Sequence, residues 1–92
     1  MDKFVSLVAV KHEEYQDRSF LFEAPISYKI GVGSLVVVDT QYGEKLGRAT
    51  AVHDFIRVGS DHYNFIVAAM GATEPLKKVI GVFTPLKYEE EE

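Results

Sequence analysis

The stretch GVGSLVVVDTQYGEKLGRATAV, Gly31 to Val52, decides the fold class. Two runs rich in valine, leucine and alanine flank the polar segment Asp39-Thr40-Gln41-Tyr42-Gly43-Glu44-Lys45. A β-branched run bounded by glycine and a polar turn is a strand–turn–strand signal. The glycines at 31, 33, 43 and 47 suit a tight sheet that needs positive φ or close backbone approach. The stretch therefore predicts strands over Ser34–Thr40 and Lys45–His53. The second has scope to run on through Asp54–Val58 to a stop at Gly59-Ser60-Asp61.

Working outward, FVSLVAVK (Phe4–Lys11) predicts a first strand buried on much of both faces, and the polar HEEYQD (12–17) a connection. SFLFE (Ser19–Glu23) predicts a second, short strand with Phe20 and Phe22 on one face and Leu21 on the other. Ala24-Pro25 closes it, because proline donates no ladder hydrogen bond. Lys78–Thr84 reads as the last strand, interrupted by Gly81 and closed by Pro85. Tyr63–Ala72 is open to two readings: its aromatic and β-branched residues suit a strand, its alanines and methionine one or two helical turns. The strand reading is preferred. Five or six short strands with glycine-bearing turns predict an all-β fold, a small SH3/OB-like β-barrel.

Ninety-two residues make one core, with residues 1–88 as a single barrel domain and 89–92 as an acidic tail. A hydrophobic content of 47% is enough to build that core, and the absence of cysteine excludes disulfides and thiolate zinc sites. The N-terminus shows no secretory pattern, and apolar runs such as Leu35–Val38 and Ile66–Met70 are too short to span a bilayer. A cytoplasmic protein is expected. The net charge of −4 resides in the tail: without the four glutamates at 89–92, ten acidic and ten basic residues remain. Such a run is a solvated terminus, or else a nucleic-acid mimic or docking peptide.

One family shares the order of these features. Arg18-Ser19-Phe20-Leu21-Phe22-Glu23-Ala24-Pro25, then Gly33-Ser34-Leu35-Val36-Val37-Val38, follow a first strand. Tyr42-Gly43 and Leu46-Gly47 come next, and Leu76-Lys77-Lys78-Val79-Ile80-Gly81-Val82 close the series. The arrangement resembles the N-terminal 3′ DNA-binding domain of the replication-restart helicase PriA. The resemblance implies a barrel that holds the 3′ end of a DNA strand with an aromatic, an acid, a turn glycine and a lysine. By position these are Phe20, Leu21, Gly43 and Lys77, and Leu21 is apolar where the family has an acid. Without a helicase portion, a relative would be a stand-alone barrel, of the kind a phage or mobile element encodes.

The candidate nucleic-acid-binding residues are Phe20, Tyr42, Gly43, Lys45 and Lys77. Phe20 suits base stacking or the core. Gly43 serves a turn needing φ > 0. Tyr42, an aromatic in a polar loop, is less easily buried. One of Lys77 and Lys78 must point outward, and with Lys45, Arg48 and Arg57 they are candidates for a basic strip on phosphates. A neutral body limits that strip to weak binding with a shallow salt slope. His12, His53 and His62 lie apart, and neither His53-Asp54 nor His62-Asp61 has metal-ligand spacing. The acids Glu13, Glu14 and Asp17 share one solvated loop. No nucleophile elbow, P-loop, dinucleotide fingerprint or HExxH occurs. No catalytic residue, metal or cofactor is expected. The expected partner is single-stranded DNA or a DNA 3′ end. The alternative is a protein partner met at a sheet edge or at the Tyr42 loop, and an unpaired edge also allows self-association.

Overall fold

A computed structural model describes residues 2–12 and 18–83. Five strands and one helix follow in the order β1 (Phe4–Lys11), β2 (Ser19–Pro25), β3 (Leu35–Thr40), β4 (Gly43–Arg57), α1 (Asp61–Ala69) and β5 (Val79–Phe83). The strands form one sheet in the order β2-β1-β4-β3-β5, every neighbouring pair antiparallel. The fold is thus mostly β, with five strands. Tyr63–Ala72 supplies no strand to it, because Asp61–Ala69 is helical. The acidic tail, Glu13, Glu14, Asp17, Thr84 and Pro85 lie outside the described residues.

The helix replaces the strand expected over Tyr63–Ala72, and its ends explain why. Ser60 is the N-cap, its hydroxyl accepting the Tyr63 N–H at 3.2 Å. At the other end Gly71 takes φ +65. Its N–H donates to the Ala68 carbonyl and that of Ala72 to Val67, both at 3.0 Å. This is the crossed pair of bonds with which a glycine closes a helix. Between the caps Tyr63, Ile66 and Val67 are buried, the i, i+3, i+4 stripe of one helical face. An alternating strand pattern would have buried Phe65 with Tyr63, whereas Phe65 is exposed.

The sheet is apolar on both sides. Val8, Val10, Phe22, Val36 and Val38 pack on one face. Val5, Leu7 and Leu21 pack on the other, against Tyr63, Ile66 and Val67 of α1 and Leu76. Alternation along β1 sends even-numbered valines to the first cluster and Val5 and Leu7 to the second. Leu7 is fully buried, a burial that contributes about 1.5–3 kcal/mol. β2 alternates likewise, with Phe20 and Phe22 opposite Leu21.

β4 is the long element. Its first residues pair with β3, Thr40 facing Gly43 and Leu35 facing Arg48. Arg48 onward pairs with β1, from Lys11 to Phe4. Two irregularities bend this second ladder. Ala9 and Val10 face Ala51 and Ala49, leaving Thr50 as an extra residue. Val5 faces Ile56 and Leu7 faces His53, so that Asp54 and Phe55 together oppose Ser6. Bulges of this kind bend a strand and re-aim its side chains. β2 meets the residue just before β5 at a parallel bridge, Glu23 to Lys78. There the Glu23 N–H donates to the Lys77 carbonyl at 2.9 Å.

Candidate nucleic-acid interface

A groove of about 810 Å³ opens where the start of β2, the β3–β4 turn and the connection from α1 to β5 come together. Phe20, Tyr42, Lys45 and Lys77 all line it. Gly43 is the next residue in the same turn, at φ +103.

Each side chain reaches the groove for a local reason. Phe20 alternates with Leu21 on β2 and packs at the margin of the first apolar cluster. The Arg18 guanidinium carbon sits 5.0 Å from its ring centroid, within cation–π range. The His12 ring lies 6.0 Å from that of Phe20, tilted by 37°. That histidine is itself buried, and its Nδ1–H donates to the Leu46 carbonyl at 3.2 Å. Phe20 therefore serves core and groove together.

Tyr42 is 78% exposed on a two-residue turn closed by the Thr40–Gly43 pair. The Thr40 hydroxyl donates to the Gly43 carbonyl at 2.7 Å and accepts the Tyr42 N–H at 3.1 Å. These bonds hold the turn while leaving the phenol ring in solvent.

The two lysines of the incoming strand part company. Lys78 pairs with Glu23 at 3.4 Å, and Lys77 lines the groove. Lys45, Lys77 and Arg18 make no ion pair among the described residues. Glu74 lines the same groove and is the acidic residue of its described lining. Arg48 and Arg57 do not line the groove. Arg48 donates to the Gly33 carbonyl at 2.7 Å, and Arg57 lies 3.8 Å from Asp2.

Arg18 and Glu74 were not among the candidates drawn from the sequence. Arg18 stands at the head of the segment Arg18–Pro25, the one signal that could have marked it. Glu74 carried none, since its connection has no periodic pattern. Leu21, at the position where the resemblance expects an acid, is buried against the helix side of the sheet.

The histidines are more sociable than their spacing suggested. His53 and His62 approach to 6.4 Å between ring centroids. Among the described residues no group of three or more metal-capable side chains assembles. Burial pushes the Tyr63 phenol above its usual range, and the Glu74 and Glu23 carboxylates push it further. No helix among the described residues is long and apolar enough to cross a membrane. Compared with known family models, curated proteins and solved structures, the chain matches none.

Proposed function

We propose that this chain is a small non-enzymatic binding module for single-stranded nucleic acid, with strand ends as the favoured target, acting as an intracellular accessory to DNA metabolism. The observation that carries this reading is the groove. It gathers the aromatics Phe20, Phe22 and Tyr42 and the cations Arg18, Lys45 and Lys77 from separate parts of the chain. Bases stack on aromatic faces, at about 1–3 kcal/mol per base, while cations track the phosphates. The bridge between Glu23 of β2 and Lys78 just before β5 supports viewing the sheet as a barrel of SH3 or OB type, a common frame for such grooves.

The resemblance to the PriA 3′ DNA-binding domain extends this reading to strand ends. Leu21 can accept no hydrogen bond from a terminal hydroxyl. Glu74, entering from another element, gives the groove a carboxylate that can.

Fluorescence anisotropy with labelled ten-nucleotide deoxythymidine strands at low salt tests the reading. Saturable binding is expected, weaker when the 3′ hydroxyl carries a phosphate. Glu74→Gln should remove that difference. No saturation at high micromolar protein would sink the proposal.

The rival is a protein-interaction module acting through the Tyr42 loop or a sheet edge, favoured by the exposure of Tyr42 and the neutral charge of residues 1–88. It predicts that Tyr42→Ala abolishes partner capture without changing behaviour toward DNA.

A further inference from the structure

Phe55 is the one residue other than glycine with positive φ among the described residues, at +60. For an aromatic side chain that conformation is strained, and glycine would adopt it freely. Burial does not offset the strain, because Phe55 is 66% exposed. Its visible packing is a stack on Phe4, 5.1 Å between centroids, and Phe4 is itself exposed. Strain retained at an exposed aromatic points to use of the ring at the surface.

The same bulge sets a carboxylate beside the ring. Asp54 Oδ1 accepts the hydroxyl of the buried Ser6 at 2.8 Å, which fixes the carboxylate in place. Asp54 makes no ion pair among the described residues. Asp54 and Phe55 line a pocket of about 590 Å³ with Tyr28, Ile26 and Ile30. Lys29 also borders it without pairing to Asp54. This pocket shares no lining residue with the groove. Ser6 and His12, at the two sites, lie roughly 20 Å apart along β1 at the rise of a strand.

An oriented carboxylate between aromatic and aliphatic walls is complementary to a planar cation with an apolar stem. A guanidinium meets a carboxylate through a fork of N–H donors and stacks on aromatic faces, which an ammonium does less well. We infer that the Asp54–Phe55 bulge is a docking site for an arginine side chain on an exposed, apolar-flanked segment of a partner protein. The inference does not depend on what the groove binds.

The test is a titration of ¹⁵N-labelled protein with the blocked peptide Gly-Leu-Arg-Leu-Gly, followed by amide chemical shifts. Saturating shifts are expected at Ser6, Gly31, Asp54 and Phe55. The same peptide with alanine for arginine should produce none. Asp54→Asn and Phe55→Gly should each weaken binding at least tenfold, while Lys77→Ala leaves it within twofold. Phe55→Gly should also raise the melting temperature, so its loss of binding cannot be a loss of fold. Absent shifts, shifts centred elsewhere, equal binding of the alanine peptide, or a loss below tenfold in either pocket variant would overturn the site.

Discussion

Glu23 meets Lys78 twice, through the backbone bridge between β2 and the residue just before β5 and through a 3.4 Å ion pair between their side chains. Lys3 approaches the same Oε2 at 3.2 Å. The Glu23 side chain is 9% exposed, while both lysines are more than half exposed. Either lysine can leave and the buried carboxylate keeps one partner. Lys3→Ala and Lys78→Ala should therefore each cost under about 1 kcal/mol. The double variant strands a buried charge and should cost about 3 kcal/mol or more. Urea denaturation of the four species measures this; strict additivity would contradict it.

Gly47 faces Ala-sized consequences of another kind. A Cβ there would collide with Val10 Cγ1 and come within 3.2 Å of both the His12 ring and the Lys11 carbonyl. Since Val10 is fully buried, the neighbour has nowhere to go. Gly47→Ala should lose about 1–3 kcal/mol, the usual cost of overpacking, visible as a lowered melting temperature.

Tyr63 gives the fold an alkaline limit. Its phenol is held above the usual value by burial first, then by Glu74 and Glu23. A raised pKa means that the native state keeps its proton where the unfolded chain releases it. The associated stability is fully present below the unfolded pKa near 10 and is lost as pH rises from there through the native pKa. Tyr63→Phe should flatten the decline of stability above pH ~10. An unchanged slope in denaturation midpoints across that range would count against it.

Tyr42 and Phe20 separate binding from folding. Tyr42 is largely in solvent, so Tyr42→Ala should shift stability by under about 0.5 kcal/mol. Its loss of one stacked base should still weaken oligonucleotide binding by about 1–3 kcal/mol. Phe20→Ala should lower both, because that ring also packs on the first cluster.

The salt dependence counts the cations. With Arg18, Lys45 and Lys77 on phosphates, log K should fall with log salt at a slope of about −2 for a single strand. Lys77→Ala should make the slope shallower by about 0.7. A wild-type slope near zero would remove the phosphates from the reading.

Some of this was visible in the residues themselves. The alternation of Val5 and Leu7 against Val8 and Val10 announced a strand buried on both faces, because period two is written locally. Ser60 and Gly71 were equally local signals, a cap and a stop for a helix. The apolar run Ile66–Met70 masked them, since such a run serves a strand or a helix alike. The groove is different in kind. Phe20, Tyr42 and Lys77 meet through the pairing of β1 with β4 and the return of the chain after α1, neither of which has a local signature. Phe55 is least legible of all: an ordinary strand residue by pattern, it acquires its backbone conformation from a mismatch between two strands distant in sequence.

The length of β4 has a consequence for how the chain acquires its structure. The β1–β2 and β3–β4 pairs are two-stranded units, which are marginal in isolation. What unites them is the ladder from Arg48 to Arg57 against β1, whose two sides stand more than a third of the chain apart. Closing that gap costs chain entropy before it returns any contact. Native order should therefore arrive in one cooperative event. The groove and the arginine pocket, built on opposite stretches of this same strand, come into being together or not at all.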